Sequence, residues 1–255
     1  VEAQYYVILN SDVQVTHHWL TPLIENMDAH EEVAACQPKL LSVADNDSFE
    51  YAGAAGGFID RFGYPFCRGR IFDTVEPDNG QYDHGEPIDI FWATGAALMV
   101  RSEVYVQVGG LDSYFFAHME EIDLCWRIHL AGYKIKAVMS SRAYHLGGGS
   151  LPASNPRKTY LNFRNNLFLL YKNLPLKEGK RLLFVRRLYD ALSFFLFVAT
   201  FKWGSAKAVI HAHNDFRAMR HRYDGIQPEV NLLKTMPGTD RNIVIDYFFL
   251  GKRKF

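Results

Sequence analysis

The sequence is short of several things, and each shortage excludes a class of protein. Three cysteines, Cys36, Cys67 and Cys125, occur in 255 residues, with no CxxC pair and no evident disulfide framework. That argues against a structural zinc site and for a reducing compartment. Net charge is absent, with 28 Lys+Arg against 28 Asp+Glu, so the chain is not a polycation that coats nucleic acid, and no nucleic-acid partner is expected. Nor is there an apolar run long enough to cross a bilayer. The longest, Ala191 to Phe201, spans eleven residues and includes Ser193 and Thr200, against the ~20 that a spanning helix needs. Internal repeats and low-complexity tracts are missing too.

What is present is 48% apolar and 22% charged, the composition of a globular domain with a sizeable core. The neutral total hides an asymmetry. Residues 1–174 carry 13 basic against 21 acidic side chains, whereas 175–222 carry 10 against 3.

Along the chain, Tyr5–Leu9 reads as a strand buried on both faces of a parallel sheet, ending in Asn10-Ser11-Asp12. An open α/β sheet places its ligands just beyond such strand ends. Thr16 is expected to cap a helix reaching about Ala29, and Val33–Cys36 to form the next strand. Residues 42–90, interrupted repeatedly by glycine, resist a regular reading and are expected to be a long functional or mobile loop region. Ile88–Trp92 and Gly95–Val100 read as strands joined by a small-residue turn, and Ser102 as the cap of a short helix to Val108. A helix is expected from about Glu120 to Ala131, closed by Gly132. It would carry Leu124, Ile128 and Ala131 on one face and Glu120, Asp123 and Arg127 on another. Lys134–Met139 reads as an edge strand, followed by Arg142–His145 and Gly147-Gly148-Gly149. Beyond Pro175 come basic, aromatic, amphipathic helices at about 177–201 and 204–222.

Three places could carry chemistry. Asp12 at a strand end could hold Mg²⁺ or Mn²⁺ against a diphosphate, although a turn cap explains it equally simply. The Glu120-Glu121-x-Asp123 cluster follows Tyr114, Phe115 and Phe116. A solvated first helical turn accounts for the acids cheaply, whereas like charge and aromatic surface would raise a carboxylate's pKa toward that of a general base. Arg127 could pair with Asp123. His145 beside the glycines could ligate a metal or be an ordinary polar residue.

Taken in order, Leu9-Asn10-Ser11-Asp12-Val13, Trp92-Ala93-Thr94-Gly95-Ala96, Gly109-Gly110-Leu111-Asp112-x-x-Phe115-Phe116, Glu120 through Arg127 and His145-x-Gly147-Gly148-Gly149-Ser150 resemble glycosyltransferase family 2, in its bacterial rhamnosyltransferase-like branch. The resemblance covers about 1–175. It implies an α/β fold of GT-A type, a mixed sheet flanked by helices, with 176–255 as a helical extension. Asp12 would hold the divalent ion, Mg²⁺ or Mn²⁺, completed by His145. Asn10 stands where the family's DxD-type element has its first acid. Gly95 and Ala96 would let sugar or acceptor approach, and Arg127 is grouped with the donor-binding residues. Glu121 matches the position of the base, with Glu120 as reserve and Asp123 beside them.

The implied activity is inverting transfer from a nucleoside diphosphate sugar to a glycan or lipid-linked acceptor. Its expected setting is bacterial surface polysaccharide assembly at the cytoplasmic face of a membrane. The family also carries a nucleotide-binding strand and loops upstream of the DxD-type element, where this sequence has nine residues, so an N-terminally incomplete chain is expected. The rival reading is a degenerate, non-catalytic domain that binds glycan or protein.

Overall fold

The computed structural model describes residues 2–85, 87–147 and 155–255. Gly148, Gly149 and Ser150 of the glycine-rich motif lie outside the described residues.

The centre is a six-stranded mixed sheet. Strand β3 (Val33–Ser42) is buried along almost its whole length. It alternates between two cores, with Ala35 facing one and Cys36 the other, as the two-residue period of a strand requires. β10 (Lys134–His145) runs parallel to it on one side, and β9 (Ala97–Arg101) antiparallel on the other. β1 (Tyr5–Leu9) adds to β9 antiparallel. The far edge of β10 carries β8 (Ile88–Asp89) near its start and β2 (Val13–Val15) at its end, both antiparallel. Helix α1 (Leu20–Ala29) covers one face through Leu23 and Met27. The larger core on the other face is closed by α3 (Glu120–Leu130) and α4 (Pro156–Asn173).

Four sequence expectations are corrected. β1 is antiparallel and half-exposed, with Val7 and Leu9 open to solvent, because among the described residues only β9 pairs with it. The Lys134–Met139 segment is not an edge strand but the start of β10, paired on both sides. Thr16 does not cap α1. Its hydroxyl donates to the Arg142 carbonyl at 2.9 Å, and the helix starts at Leu20 without a side-chain cap. Ser102 likewise opens α2 (Ser102–Gln107) without capping it, donating instead to the Ala3 carbonyl.

β3 also runs past its expected end. Pro38 lacks an N–H for the ladder, and there β10 bulges, pairing Val138 with Pro38 and then Arg142 with Lys39. Lys39 is wholly buried and satisfied by Asp78 at 2.7 Å and by Asp83.

The glycine-rich 42–90 region is largely ordered. It forms an antiparallel meander of β4 (Gly57–Ile59), β5 (Pro65–Cys67), β6 (Arg70–Ile71) and β7 (Thr74–Val75). Gly53, Gly56, Gly57, Gly63 and Gly69 mark close approach rather than looseness. A Cβ on Gly57 would collide with the Trp92 ring, whose Nε1 donates to the Phe58 carbonyl at 2.8 Å.

Helices α5 (Leu176–Ala199) and α6 (Trp203–Met219) pack on α4. Phe216, with Tyr223 from the 3-10 turn at Arg220–Tyr223, stacks on Phe168 and joins the main core. A short α7 (Ile243–Phe248) follows. No helix among the described residues is long and apolar enough to cross a membrane.

Candidate active site

The pairing of β2 with β10 sets Val13 opposite His145, which brings the residue before Val13 to the imidazole. Asp12 Oδ1 lies 3.2 Å from His145 Nε2, and Asn10 Nδ2 lies 3.5 Å from the same nitrogen. The Leu146 N–H donates to the Asp12 carbonyl at 3.1 Å and locks the register. On the other side of the ring, buried Glu50 places Oε1 3.4 Å from Nδ1, an ion-pair separation rather than a formed hydrogen bond. Burial alone would lower the imidazole pKa. The facing Glu50 and Asp12 carboxylates outweigh it and hold the pKa above the ordinary histidine value. Sequence reasoning missed Glu50, whose position comes from backbone bonding to Leu40 across the fold.

Asp12 and His145 fit a divalent ion. Two ligands about 2.1 Å from an octahedral ion stand roughly 3.0 Å apart, close to the 3.2 Å found. Among the described residues no cluster of three or more His, Cys, Asp or Glu side chains could cage a metal. The donor set therefore suits an ion completed by water and ligand phosphates, the usual habit of Mg²⁺.

The second half of the site is the start of α3. Phe116, His118 and Met119 sit at φ of +65, +68 and +73° just before it, a conformation costing non-glycine residues ~1–2 kcal/mol each. The strain is held by α4. Fully buried Asn165 donates through Nδ2 to the carbonyls of Phe115 at 2.8 Å, Ala117 at 2.9 Å and His118 at 2.7 Å. Arg164 adds bonds to the carbonyls of Tyr114 and Phe115.

This arrangement holds Glu120 and Glu121 with one oxygen each, Oε2, buried and without a hydrogen-bond partner. Burial pushes both carboxyls up. For Glu121 burial and then the charge of Glu120 raise the pKa to about 8.

Gly95 links the two halves. A Cβ there would touch the Glu121 side chain at 3.5 Å, so the glycine keeps that flank open. The next carbonyl, of Ala96, accepts from the Asn10 N–H at 3.0 Å. The Ala96 side chain itself is buried, so its part is played by the backbone.

Two expected site residues belong elsewhere. Asp123 is wholly buried. Its Oδ2 meets Arg127 at 2.8 Å and Lys172 at 2.8 Å, and its Oδ1 accepts from Asn173 at 2.8 Å. Arg127 also donates to the Gly110 carbonyl at 2.7 Å. It ties α3 to the preceding glycine turn, and the Asp123 carboxylate is taken up by its three partners. The signal for this cluster was available in α4, where Asn165, Asn166, Lys172 and Asn173 interrupt an apolar run and all prove buried.

No family model matches the chain. It is 39% identical over 54 residues to "Rhamnosyltransferase WbbL" of Escherichia coli (strain K12), a match covering 21% of this chain and 20% of that protein. It is 24% identical over 156 residues to "N-acetylgalactosaminyltransferase 4" of Drosophila melanogaster, covering 60% of this chain and 24% of that protein. These matches thus span a quarter or less of either relative's length. Among solved structures, that of GalNAc-T7 with UDP, GalNAc and Mn²⁺ aligns over 69% of this chain and 32% of its own, at 17% identity and a TM-score of 0.47.

Proposed function

We propose that this chain carries the metal and acceptor sides of an inverting glycosyltransferase site of GT-A type. In this reading it moves a sugar from a nucleoside diphosphate donor to a glycan or lipid-linked acceptor in bacterial surface polysaccharide synthesis. The observation that carries the reading is the pair Glu120 and Glu121. Their buried oxygens lack partners, and Gly95 and Ala96 join them to the Asp12–His145 pair. The glycosyltransferase names of the relatives support it.

In this mechanism Glu121 accepts the proton of an acceptor hydroxyl as that oxygen bonds to the anomeric carbon and the carbon–oxygen bond to the diphosphate breaks. A carboxyl with a pKa near 8 is well matched to take that proton near neutral pH. Glu120 keeps the pKa of its neighbour high through like charge. Asn10, Asp12 and His145 face the diphosphate, where a bound divalent ion supplies charge neutralisation of the leaving group. Gly95 leaves room for the sugar beside the base.

The test is transfer from a panel of nucleoside diphosphate sugars in the presence of Mn²⁺, with the anomeric configuration of the product read by NMR. Transfer with inversion that Glu121→Gln abolishes supports the proposal. Retention of configuration, or equal turnover by that variant, overturns it.

A further inference from the structure

Helix α5 is built the wrong way round for a surface helix. Its buried residues are Gly179, Leu183, Arg186 and Asp190, so two of the three buried side chains are charged. Arg186 stacks on the Tyr64 ring and pairs with Asp190, and Asp190 also meets His213 of α6 at 3.0 Å. The outward face carries Phe184, Leu188, Leu192, Phe195 and Leu196, each more than half exposed. Their spacing of three and four residues makes one continuous stripe. It continues around the turn into α6, where Phe201 is 78% exposed and Trp203 is also open to solvent.

The charges around this stripe have one sign. From 176 to 217 the exposed charged side chains are basic apart from Glu178, among them Lys180, Arg181, Arg187, Lys202 and Lys207. The acids of the segment are engaged in the fold: Glu178 with Lys234, Asp190 with Arg186 and His213, and Asp215 with Tyr160. Apolar surface with a basic rim is the pattern of a helix lying in the interface of an anionic bilayer. A symmetric second copy would bring the two basic rims together, because such an interface sets a patch against itself.

The turn between α5 and α6 also sits beside the candidate site. Gly204 is pressed against Pro156 at the start of α4, and Ser205 Oγ lies 3.5 Å from Thr159 Oγ1. From that same first turn of α4, Arg157 lies over the Phe116 ring and Lys158 over the Tyr51 ring. Phe116 leads into the Glu120 loop, and Tyr51 follows Glu50.

We propose that the α5–α6 hairpin is a docking surface for an anionic lipid bilayer, laying its apolar stripe in the interface with the Phe201–Trp203 corner beside the mouth of the site. That placement presents an acceptor held in the membrane to Glu121. Only this last consequence rests on the glycosyl-transfer reading.

Co-sedimentation with vesicles, which needs neither donor nor turnover, tests the surface independently of that reading. The protein is expected to sediment with phosphatidylglycerol/phosphatidylcholine vesicles and not with phosphatidylcholine alone, less so as salt rises from about 0.05 M to 0.5 M. Leu192→Gln with Phe195→Gln, both exposed and checked for an unchanged melting curve, should abolish binding. Lys180→Gln with Arg187→Gln should weaken it about fivefold per residue. No sedimentation, equal sedimentation with neutral vesicles, or full binding by the double glutamine variant overturns the proposal. So does a dimer that the variant dissolves, which would assign the face to a second copy.

Discussion

Glu121 and Asp123 stand two residues apart on α3, yet one faces a space with a buried oxygen unpartnered while the other is sealed among Arg127, Lys172 and Asn173. The helix turns about 200° between them, which sends the two carboxylates to opposite environments. The contrast teaches what sets the proposed base apart from its neighbour. It is not acidity or clustering, which both share, but the lack of a cation. Arg127, Lys172 and Asn173 satisfy the inner acid, whereas on Glu121 burial and then the charge of Glu120 outweigh the backbone N–H groups that favour its ionised form.

The comparison breaks most visibly if the open carboxylate is neutralised. Glu121→Gln is expected to cut turnover about 10²–10⁴-fold, the usual worth of a general base, without loss of fold. The pKa shift gives this variant a second signature. A carboxyl whose folded pKa is raised to about 8 costs stability as pH climbs from the ordinary glutamate value toward 8, because the unfolded chain ionises first. Urea midpoints of the wild type should therefore fall between pH 5 and pH 8 more than those of Glu121→Gln, and parallel curves would count against an ionising Glu121.

The sealed carboxylate should answer the other way. Asp123→Asn removes the buried carboxylate that Arg127 and Lys172 share, leaving Lys172 with Asp112 and Arg127 without an anionic partner, and breaking such a buried pair costs ~3–5 kcal/mol. A thermal melt should register that loss. An Asp123→Asn protein that melts normally but fails in catalysis would invert the two roles.

A smaller effect is expected at Asn165, which holds the strained loop between the two environments. Asn165→Ala takes the side-chain donor from the half-buried carbonyls of Ala117 and His118, while that of Phe115 keeps Arg164 and the Ala117 N–H, for a cost of about 1–3 kcal/mol for each group left unsatisfied, reduced where water enters. Phe116, His118 and Met119 would then relax from positive φ. Faster amide exchange across 115–121 checks this, and protection equal to the wild type would refute the clamp.

The smallest change is expected at Glu50, which stands behind His145 as Lys172 stands behind Asp123. Glu50→Gln removes the charge facing Nδ1, and loss of such a supporting group weakens metal binding about 10–100-fold. Mn²⁺ titration followed by electron paramagnetic resonance reads it directly, and unchanged affinity would remove Glu50 from the site.

The sequence by itself determined the elements whose cause is local. The apolar run Tyr5–Leu9, the glycine stop at Gly132 and the small residues Gly95-Ala96 all stand where they were read, because strand propensity, left-handed φ and lack of bulk belong to single residues. Asp12 and His145 were legible as ends of strands, and α5 and α6 as long helices.

Only the tertiary structure decided which neighbours those elements met. The continuous apolar run of β1 became an outer strand and the charge-interrupted β10 a central one, since periodicity records how many faces are apolar and not what pairs with an edge. Gly57 and Gly53 read as breaks until Trp92 and Thr94 lay against them and turned them into points of close packing. Above all, Asp123 is set apart from Glu120 and Glu121 in the same helical turn by Lys172 and Asn173, about fifty residues away along the chain. A pKa and a partner are properties of what stands within a few ångströms, and that distance is set by the fold.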